Sequence, residues 1–436
     1  MPAIQPRTLK GFRDFPPALA LVRERMVDTA STVYRSYGFV PIDTPALELA
    51  EVLLGKLDPG AEIVRQLYRF VDNGGRDVAL RFDLTVPFAR FAAMHVQELG
   101  IPFKRYHVGS VWRGENTQAG RYREFLQCDF DTIGTTSGAA DIEAALVIHD
   151  LLSALGFERF TVRVSDRHIL GGVLDALGIG ERSGGVLRSV DKLAKHGHDV
   201  VRGELVDSVG LSGVQAAEVL DVAGSDLDQV AKRFGGSERV AGGVARLQEL
   251  LAVADAVGIP DARLAVDLSI SRGLDYYTGT VFETFLADLP RIGSVCSGGR
   301  YDDLAGLYTN QVLPGVGASL GVDRLLAAME ELGMLGAEVT GAQVLFVRFP
   351  GVALADLYGL AAAVRSSGIG AEVYPDLKKV GAQLQHAERR GALAAVLAGP
   401  AELAEGVVKV KDLAARTEAT VPRGGLVDEV RRLVGA

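Results

Sequence analysis

The stretch FKRYHVGSVWRGENTQAGRYREFLQCDFDTIG, residues 103–134, predicts two long β-strands joined by a polar loop. Both strand-like parts, 103–115 and 122–134, contain β-branched and aromatic residues, and the intervening NTQAGR has the glycine and asparagine typical of a turn. Two strands joined by a short loop pair as an antiparallel hairpin. We therefore expect an antiparallel sheet around this hairpin.

Residues 123–131 sort into two sets, because successive side chains on a strand point to opposite faces of the sheet. The even-numbered set is the more apolar and is expected to meet the core. The odd-numbered set could bind a flat, charged ligand. A solvated outer face with cross-strand ion pairs explains the pattern equally well, since many antiparallel sheets are wet on one side. We call the odd-numbered set the polar face: Arg123, Phe125, Gln127, Asp129 and Asp131.

Local charge favours the ligand-binding interpretation of the polar face. Residues 104–123 contain five lysines and arginines and one acidic residue, Glu115, in a chain of net charge −9. The planar fork of arginine binds phosphate oxygens, so arginines beside an aromatic ring suit a nucleotide. Phe125 is the candidate ring for stacking on the base, with a core phenylalanine as the alternative.

The length of 436 residues predicts more than one domain. Residues 1–335 are expected to form a sheet-based domain of the α+β class, in which VALRFDLTV (78–86) is another strand and a helical segment at about 165–260 is an insertion. Residues 341–436 alternate strands with helices, which predicts a small α/β domain with a largely parallel sheet. Its helices are expected at 352–367, at 380–390 and from about 426.

Composition and net charge argue against several classes of protein. No run of 18 apolar residues occurs and the N-terminus lacks a signal-peptide layout, so we expect a cytoplasmic protein without a membrane partner. The net charge of −9 argues against nonspecific coating of nucleic acid. Residues 341–436 hold 12 lysines and arginines against 10 acidic residues, which favours a polyanionic partner for this part. The two cysteines and seven histidines form no ligand pattern, so no structural metal is expected.

Two further stretches carry candidate functional residues. PGVGASLGVDRLLAAMEEL, residues 314–332, leads from glycines into an amphipathic helix that has Arg324 near its start. Helix N-termini favour anions, so an arginine there is explained if a bound anion faces it; an arginine reaching into water is the alternative. SISRGLDYYTGTVFE, residues 269–283, sets Arg272, Tyr276 and Tyr277 in a polar turn between two β-prone runs.

These motifs, in this order, resemble those of class II aminoacyl-tRNA synthetases. YGFVPIDTPALE is similar to motif 1 of that class, the hairpin with Arg113 and Phe125 to motif 2, and GVDRL to motif 3. RGLDYYTGTVFE and CSGGRYDDL are similar to the two histidine-specific motifs of histidyl-tRNA synthetases. The resemblance covers nearly the whole chain.

The resemblance implies a role for each matched residue. Arg113 and Arg272 would hold the α-phosphate of ATP as the catalytic residues, and Arg272 would also contact histidine. The remaining ATP contacts would come from Glu115, Arg121, Phe125 and Arg324. The remaining histidine contacts would come from Asp83, Gln127, Asp131, Tyr276 and Tyr277, with Asp131 and Tyr277 on the imidazole.

The resemblance also implies a fold, a reaction and partners. The fold would be an antiparallel sheet flanked by helices, with a helical insertion and a C-terminal α/β anticodon-binding domain, in a homodimer. Histidine would be activated by ATP with Mg²⁺, and the histidyl group would then pass to tRNA(His). A synthetase-like regulatory subunit of ATP phosphoribosyltransferase and a class II synthetase for another amino acid, such as proline or threonine, are the alternatives.

Overall fold

The computed structural model of the chain describes residues 4–55, 62–270, 276–335 and 341–435. The chain divides into two compact units, one of Met1–Asp14 with Arg23–Leu332 and the other of Phe15–Val22 with Gly333–Ala436. The domain limits drawn above from the sequence stay a prediction.

The strands are, in chain order, β1 Val40–Pro41, β2 Leu47–Leu49, β3 Arg69–Val71, β4 Asp77–Leu80, β5 Phe103–Trp112, β6 Glu124–Ile133, β7 Phe160–Asp166, β8 Leu264–Val266, β9 Thr280–Leu286, β10 Cys296–Tyr301, β11 Gly315–Gly321, β12 Val344–Val347, β13 Ala371–Val373, β14 Ala394–Leu397, β15 Val407–Asp412 and β16 Glu418–Pro422. The α-helices are α1 Pro17–Ser36, α2 Ala50–Leu54, α3 Glu62–Gln66, α4 Thr85–Leu99, α5 Gly138–Ala154, α6 Arg167–Ala176, α7 Ser183–Val190, α8 Leu193–His196, α9 His198–Asp207, α10 Gly213–Ala223, α11 Leu227–Phe234, α12 Glu238–Ala256, α13 Val322–Glu331, α14 Leu354–Ser366, α15 Val380–Arg390, α16 Pro400–Ala404 and α17 Leu426–Val434.

The first unit is built on a large sheet whose described strands run in the order β1-β5-β6-β11-β10-β9-β7-β8. Neighbours from β5 to β7 are antiparallel, whereas the outermost pairs, β1 with β5 and β7 with β8, are parallel. β5 and β6 pair over their full length, from Phe103 opposite Ile133 to Trp112 opposite Glu124. The predicted antiparallel sheet with flanking helices is confirmed, and its parallel edges make the whole sheet mixed.

The even-numbered face of β6 meets the core, as its apolar pattern predicts. Cys128 and Phe130 are fully buried beneath α1. The Tyr34 ring of α1 lies 5.2 Å from the Phe130 ring, and the Tyr34 hydroxyl donates a 3.0 Å hydrogen bond to the Cys128 carbonyl. A buried tyrosine hydroxyl normally finds such a partner, so this contact fixes the helix on the sheet.

The stretch 78–86 is only partly a strand, so its prediction as one strand was wrong. β4 ends at Leu80 and α4 begins at Thr85. Pro87 lies in the first turn of α4, where the missing N–H of proline leaves no hydrogen bond unmade. Asp83 Oδ1 accepts a 3.1 Å hydrogen bond from the Val86 amide at this helix start. The alternation over 78–86 hid this change from strand to helix.

Helices α6 to α12 lie between β7 and β8, where the sequence predicts a helical segment. Two of these helices, α10 and α11, begin with reciprocal capping boxes, formed by Ser212 with Gln215 and by Asp226 with Gln229. Such boxes satisfy amide groups that a helix start leaves unpaired. Within the described ranges, no helix is both long enough and apolar enough to cross a membrane.

The second unit contains a five-stranded sheet in the order β13-β12-β14-β15-β16. β12 is parallel to both β13 and β14, but β14, β15 and β16 pair antiparallel. The largely parallel sheet expected from the sequence was therefore wrong in part. The reason is the length of the connections. A short turn joins β15 to β16, and residues 398–406 with the short helix α16 join β14 to β15, whereas a parallel crossover needs about a dozen residues or more.

Candidate active site

The polar face of β6 lies in the middle of the large sheet, next to two glycine-containing strands. Residues paired across a sheet carry side chains on the same face. The register places Arg105 of β5 and Gly317 of β11 on either side of Asp131, with Gly299 of β10 beyond Gly317. These four residues therefore form one row across the sheet, in which the two glycines leave space beside Asp131 and Arg105.

The polar face is buried rather than solvated. Gln127, Asp129 and Asp131 are 7%, 1% and 2% exposed. The solvated-face alternative is therefore wrong for this part of β6. Buried polar groups are costly unless they are hydrogen-bonded or paired, so the partners of these side chains define what the site can do.

Asp131 is held by two partners that the sequence did not single out for the site. Its Oδ2 lies 2.5 Å from Arg105 Nη2, and its Oδ1 accepts a 2.6 Å hydrogen bond from the Tyr301 hydroxyl. Burial raises the pKa of Asp131, while Arg105 and Tyr301 oppose the rise. The hairpin register, which sets Arg105 opposite Asp131, is the signal that would have revealed this pair.

Asp83 and Tyr276 meet on the same side of the sheet. The Tyr276 hydroxyl donates a 3.2 Å hydrogen bond to Asp83 Oδ2. Burial raises the pKa of Asp83 to about 6, against the opposing effects of the Val86 amide, Arg113 and Tyr276. The structure thus joins two predicted histidine-binding residues that are 193 positions apart in the chain.

Tyr277 lies over the glycine of β10. A Cβ atom at Gly299 would come within 3.0 Å of Tyr277 Cδ1 and within 2.8 Å of the Thr280 carbonyl oxygen. Arg167 Nη1 donates a 2.5 Å hydrogen bond to the Tyr277 carbonyl. The Tyr277 ring therefore packs against the backbone at Gly299, which belongs to the motif CSGGRYDDL.

On the roles that the resemblance implies, replacement of Gly299 by alanine is expected to raise the KM for histidine by about tenfold or more while the KM for ATP changes little. The added methyl group would clash with the Thr280 carbonyl oxygen and with the Tyr277 ring and so displace the ring, and small misplacements in a site are expensive. Steady-state pyrophosphate exchange measures both constants. Gly306→Ala is the matched control, because no atom lies within 4 Å of a Cβ there. Equal histidine KM values in the two variants would contradict the seating of Tyr277 on Gly299.

Arg113 and Phe125 lie together at the end of the hairpin. The Arg113 guanidinium lies 5.2 Å from the centre of the Phe125 ring, and its Nε donates a 2.9 Å hydrogen bond to the Phe82 carbonyl. Phe125 is half-buried, which leaves part of its ring accessible. Phe125 lies on the face opposite Leu126, and its stacking role stays a prediction.

Arg324 of α13 belongs to the same group of arginines. Burial, together with Arg121 and Arg113, lowers the pKa of Arg324 to about 10, against the opposing effects of Glu115 and Glu283. Arg121 Nη1 lies 3.2 Å from Glu115 Oε2, and Arg324 donates a hydrogen bond to the Ser294 carbonyl. Like charges gathered in a half-buried place are unfavourable until an anion neutralises them. This cluster therefore suits a polyphosphate.

Several buried polar atoms of the polar face and its neighbour β5 have no hydrogen-bond partner within the described ranges. Native proteins leave few such atoms, so each one needs an explanation. An amino acid, with one ammonium group and polar side-chain nitrogens, would satisfy a set of this kind. The atoms are Arg105 Nε, His107 Nδ1, Gln127 Oε1 and both carboxylate oxygens of Asp129.

Arg272, predicted to contact the α-phosphate and histidine, lies outside the described residues. The other ten candidate residues lie within the described ranges, and the ligand roles of all eleven stay predictions. In the part of the chain that the structure describes, no group of three or more His, Cys, Asp or Glu side chains could hold a metal ion.

Comparison with known proteins identifies the family. A family model described as histidyl-tRNA synthetase matches residues 11–325. A curated histidine–tRNA ligase from Rhodopirellula baltica is 54% identical over 420 residues, which are 95% of this chain and 94% of that protein. The chain belongs to the histidyl-tRNA synthetase family. A second family model, described as an anticodon-binding domain, matches residues 349–433.

Solved structures agree with this family. The crystal structure of histidyl-tRNA synthetase from Nostoc sp. PCC 7120 has a TM-score of 0.89 and 32% identity, covering 99% of this chain and 100% of that chain. A structure titled as an ATP phosphoribosyltransferase regulatory subunit/histidyl-tRNA synthetase from Bacillus halodurans C has a TM-score of 0.74 at 22% identity, covering 88% of this chain and 97% of that chain. The latter likeness shows a shared fold alone.

Proposed function

We propose that this chain activates L-histidine with ATP and transfers the histidyl group to the 3′ end of tRNA(His). The observation that carries the proposal is the adjacency of two groups of side chains. Asp83, Asp131 and Tyr276 form a buried acidic group, and Arg113, which lowers the pKa of Asp83, belongs to the cluster of guanidinium groups that includes Arg324. A site for the α-ammonium group of an amino acid beside a site for a polyphosphate is the arrangement that adenylate formation requires.

In the first step the histidine carboxylate attacks the α-phosphorus of ATP, forming histidyl-adenylate and releasing pyrophosphate. The carboxylate is already ionised at neutral pH, so the step needs no general base. It needs in-line placement and stabilisation of the charge that develops at phosphorus, which positioned guanidinium groups supply. Arg113 and Arg272 would act at the α-phosphate, and Arg121 and Arg324 at the outer phosphates. Mg²⁺ enters as part of the MgATP substrate.

The adenine base would stack on the accessible part of the Phe125 ring, with Glu115 beside it. Arg121 is 37% exposed and ion-paired with Glu115 at 3.2 Å, so it can exchange this partner for a phosphate at little cost. The arginine cluster would thus bind the phosphates of the nucleotide, and the Phe125 ring would bind its base.

Histidine would be selected by hydrogen bonds to both parts of the molecule. Asp83 and Gln127 would take the α-ammonium group, with Tyr276 positioning Asp83 through its 3.2 Å hydrogen bond. Asp131 and Tyr277 would contact the imidazole nitrogens. A site built around polar ligand atoms rejects analogues that lack them, because its own buried polar groups are then left unpaired.

In the second step the histidyl group passes to the terminal ribose of tRNA(His), with residues 341–436 reading the anticodon. The match of residues 349–433 to an anticodon-binding domain supports this assignment. A homodimer and a cytoplasmic location complete the proposal.

Pyrophosphate exchange measured with each of the twenty amino acids is expected to show activity with histidine alone. The measurement also separates the alternatives. Exchange with proline or threonine would assign a different synthetase, and no exchange with any amino acid would favour the regulatory-subunit interpretation. Charging of tRNA(His) with labelled histidine then tests the second step.

A further inference from the structure

Asp129 lies at the centre of the polar face, between Gln127 and Asp131 on the same strand. Across the sheet it is paired with His107 of β5 and Ser319 of β11. It is 1% exposed, and the roles proposed above do not use it. A fully buried carboxylate in the middle of a substrate pocket calls for a physical explanation.

Neither carboxylate oxygen of Asp129 accepts a hydrogen bond of normal geometry from the described residues. The nearest charged donor is engaged elsewhere, because Arg105 is ion-paired with Asp131 and donates to the Leu84 carbonyl. Ser319 accepts a 2.6 Å hydrogen bond from Gln127 Nε2, so its own O–H stays available to Asp129 as a neutral donor. Burial raises the pKa of Asp129 to about 7, with Asp131 and Asp83 adding to the rise and Arg105 and Ser319 opposing it. An uncompensated buried carboxylate is expensive to keep.

The acceptors around Asp129 match the donors of an ammonium group. Gln127 uses its amide nitrogen on Ser319, so its buried Oε1 is left as an acceptor without a partner in the described residues. Asp83 belongs to the same group of side chains, because its partner Tyr276 has its ring 6.0 Å from that of Tyr301, which donates to Asp131. An ammonium group has three N–H donors and accepts no hydrogen bond, so it suits a group of acceptors of this kind.

The charges of the surrounding side chains also favour an ammonium group as the ligand. Asp83, Asp129 and Asp131 are three buried carboxylates, of which Asp131 is ion-paired with Arg105. Asp129 makes no such ion pair within the described ranges. The α-ammonium of histidine carries a full positive charge at neutral pH, whereas its imidazole is then mostly neutral.

We propose that Asp129 is a further substrate-binding residue, whose carboxylate accepts a hydrogen bond from the α-ammonium group of the bound amino acid together with Asp83 and Gln127. This inference rests on the proposed function and adds a residue to it. It also accounts for the cost of the buried carboxylate, because the substrate supplies the missing charge.

The test is Asp129→Asn in the full-length chain at pH 8, where Asp129 is ionised in the wild type. Two competitive inhibitors of pyrophosphate exchange separate the ligand groups: histidinol keeps the ammonium group, and imidazole lactate lacks it. We expect the Ki of histidinol and the KM of histidine to rise about tenfold or more, since a hydrogen bond between charged partners is lost. The Ki of imidazole lactate and the KM of ATP should change less than twofold.

Thermal unfolding distinguishes substrate binding from a structural role, because the two roles predict opposite changes in the Tm of Asp129→Asn. The Tm of Asp129→Asn should equal or exceed that of the wild type, because an uncompensated buried charge is removed. Asp141→Asn is the matched control. Asp141 is equally buried but lies 2.5 Å from Arg300 Nη2, so its substitution should lower the Tm and leave the histidinol to imidazole lactate ratio unchanged.

Unchanged histidinol inhibition in Asp129→Asn would overturn the inference, and so would equal loss of both inhibitors with a lower Tm. These outcomes leave histidine-dependent exchange in the wild type intact and so leave the proposed function standing. Absence of histidine-dependent exchange in the wild type would instead overturn the proposed function itself.

Discussion

Replacement of Arg113 by alanine is expected to lower the kcat of histidine-dependent pyrophosphate exchange by about 10²–10³-fold. Arg113 is held by its hydrogen bond to the Phe82 carbonyl and lies 5.2 Å from the Phe125 ring, at the junction of the amino-acid pocket and the arginine cluster. A fixed charge aimed where negative charge develops stabilises the transition state without reorganisation, and removal of one such contact has an effect of this size.

The controls for Arg113→Ala separate charge from position and from folding. Arg113→Lys keeps the charge but loses the planar fork, so it should recover only part of the rate. Arg159→Ala removes an exposed arginine whose 2.6 Å contact with Asp288 is at the surface, and it should leave the rate unchanged. An Arg113→Ala variant with wild-type kcat would remove Arg113 from the mechanism.

Replacement of Asp131 by alanine is expected to have the largest effect on stability and to abolish histidine activation. The substitution leaves Arg105 buried without its 2.5 Å partner and removes the acceptor of the Tyr301 hydroxyl. Breaking a buried ion pair on one side costs about 3–5 kcal/mol, because the remaining charge is uncompensated. Urea unfolding measures the stability, and pyrophosphate exchange measures activation.

A double substitution distinguishes the two roles of Asp131. Arg105→Met with Asp131→Leu replaces both charges by apolar side chains, which can restore the stability of a buried pair. It should therefore recover much of the free energy of unfolding that Asp131→Ala loses, without restoring histidine activation. Wild-type stability in Asp131→Ala, or normal activation in the double variant, would contradict the roles given to this carboxylate.

The long hairpin was predictable because its information is local. The alternation in residues 103–134 sorts the side chains of β6 correctly between core and polar face, and it needs no knowledge of the rest of the chain. The limits of α15, predicted at 380–390, also match the structure. The prediction of one strand over residues 78–86 was wrong because these residues contain both the end of β4 and the start of α4, and their alternation continues across the boundary.

Candidate site residues were found where the motif resemblance named them, but their partners were not. Arg105, Tyr301 and Gly299 are far from Asp131 in sequence or carry no recognisable chemistry of their own. Their roles depend on strand register across β5, β6, β11 and β10, which pairs residues as far apart in the chain as Gln127 and Gly321.

The sequence alone was enough for the α+β sheet, the alternating β–α tail, the family resemblance and the residue types that a nucleotide and an amino acid require. These features follow from periodicity, charge and short motifs, all of which are local. Burial and pairing were settled by the folded chain: the polar face is dry, Asp131 has a cation partner, and Asp129 has no hydrogen bond from the described residues. The physical reason is that desolvation and Coulomb interactions depend on which distant strands become neighbours, and no stretch of the chain contains that information.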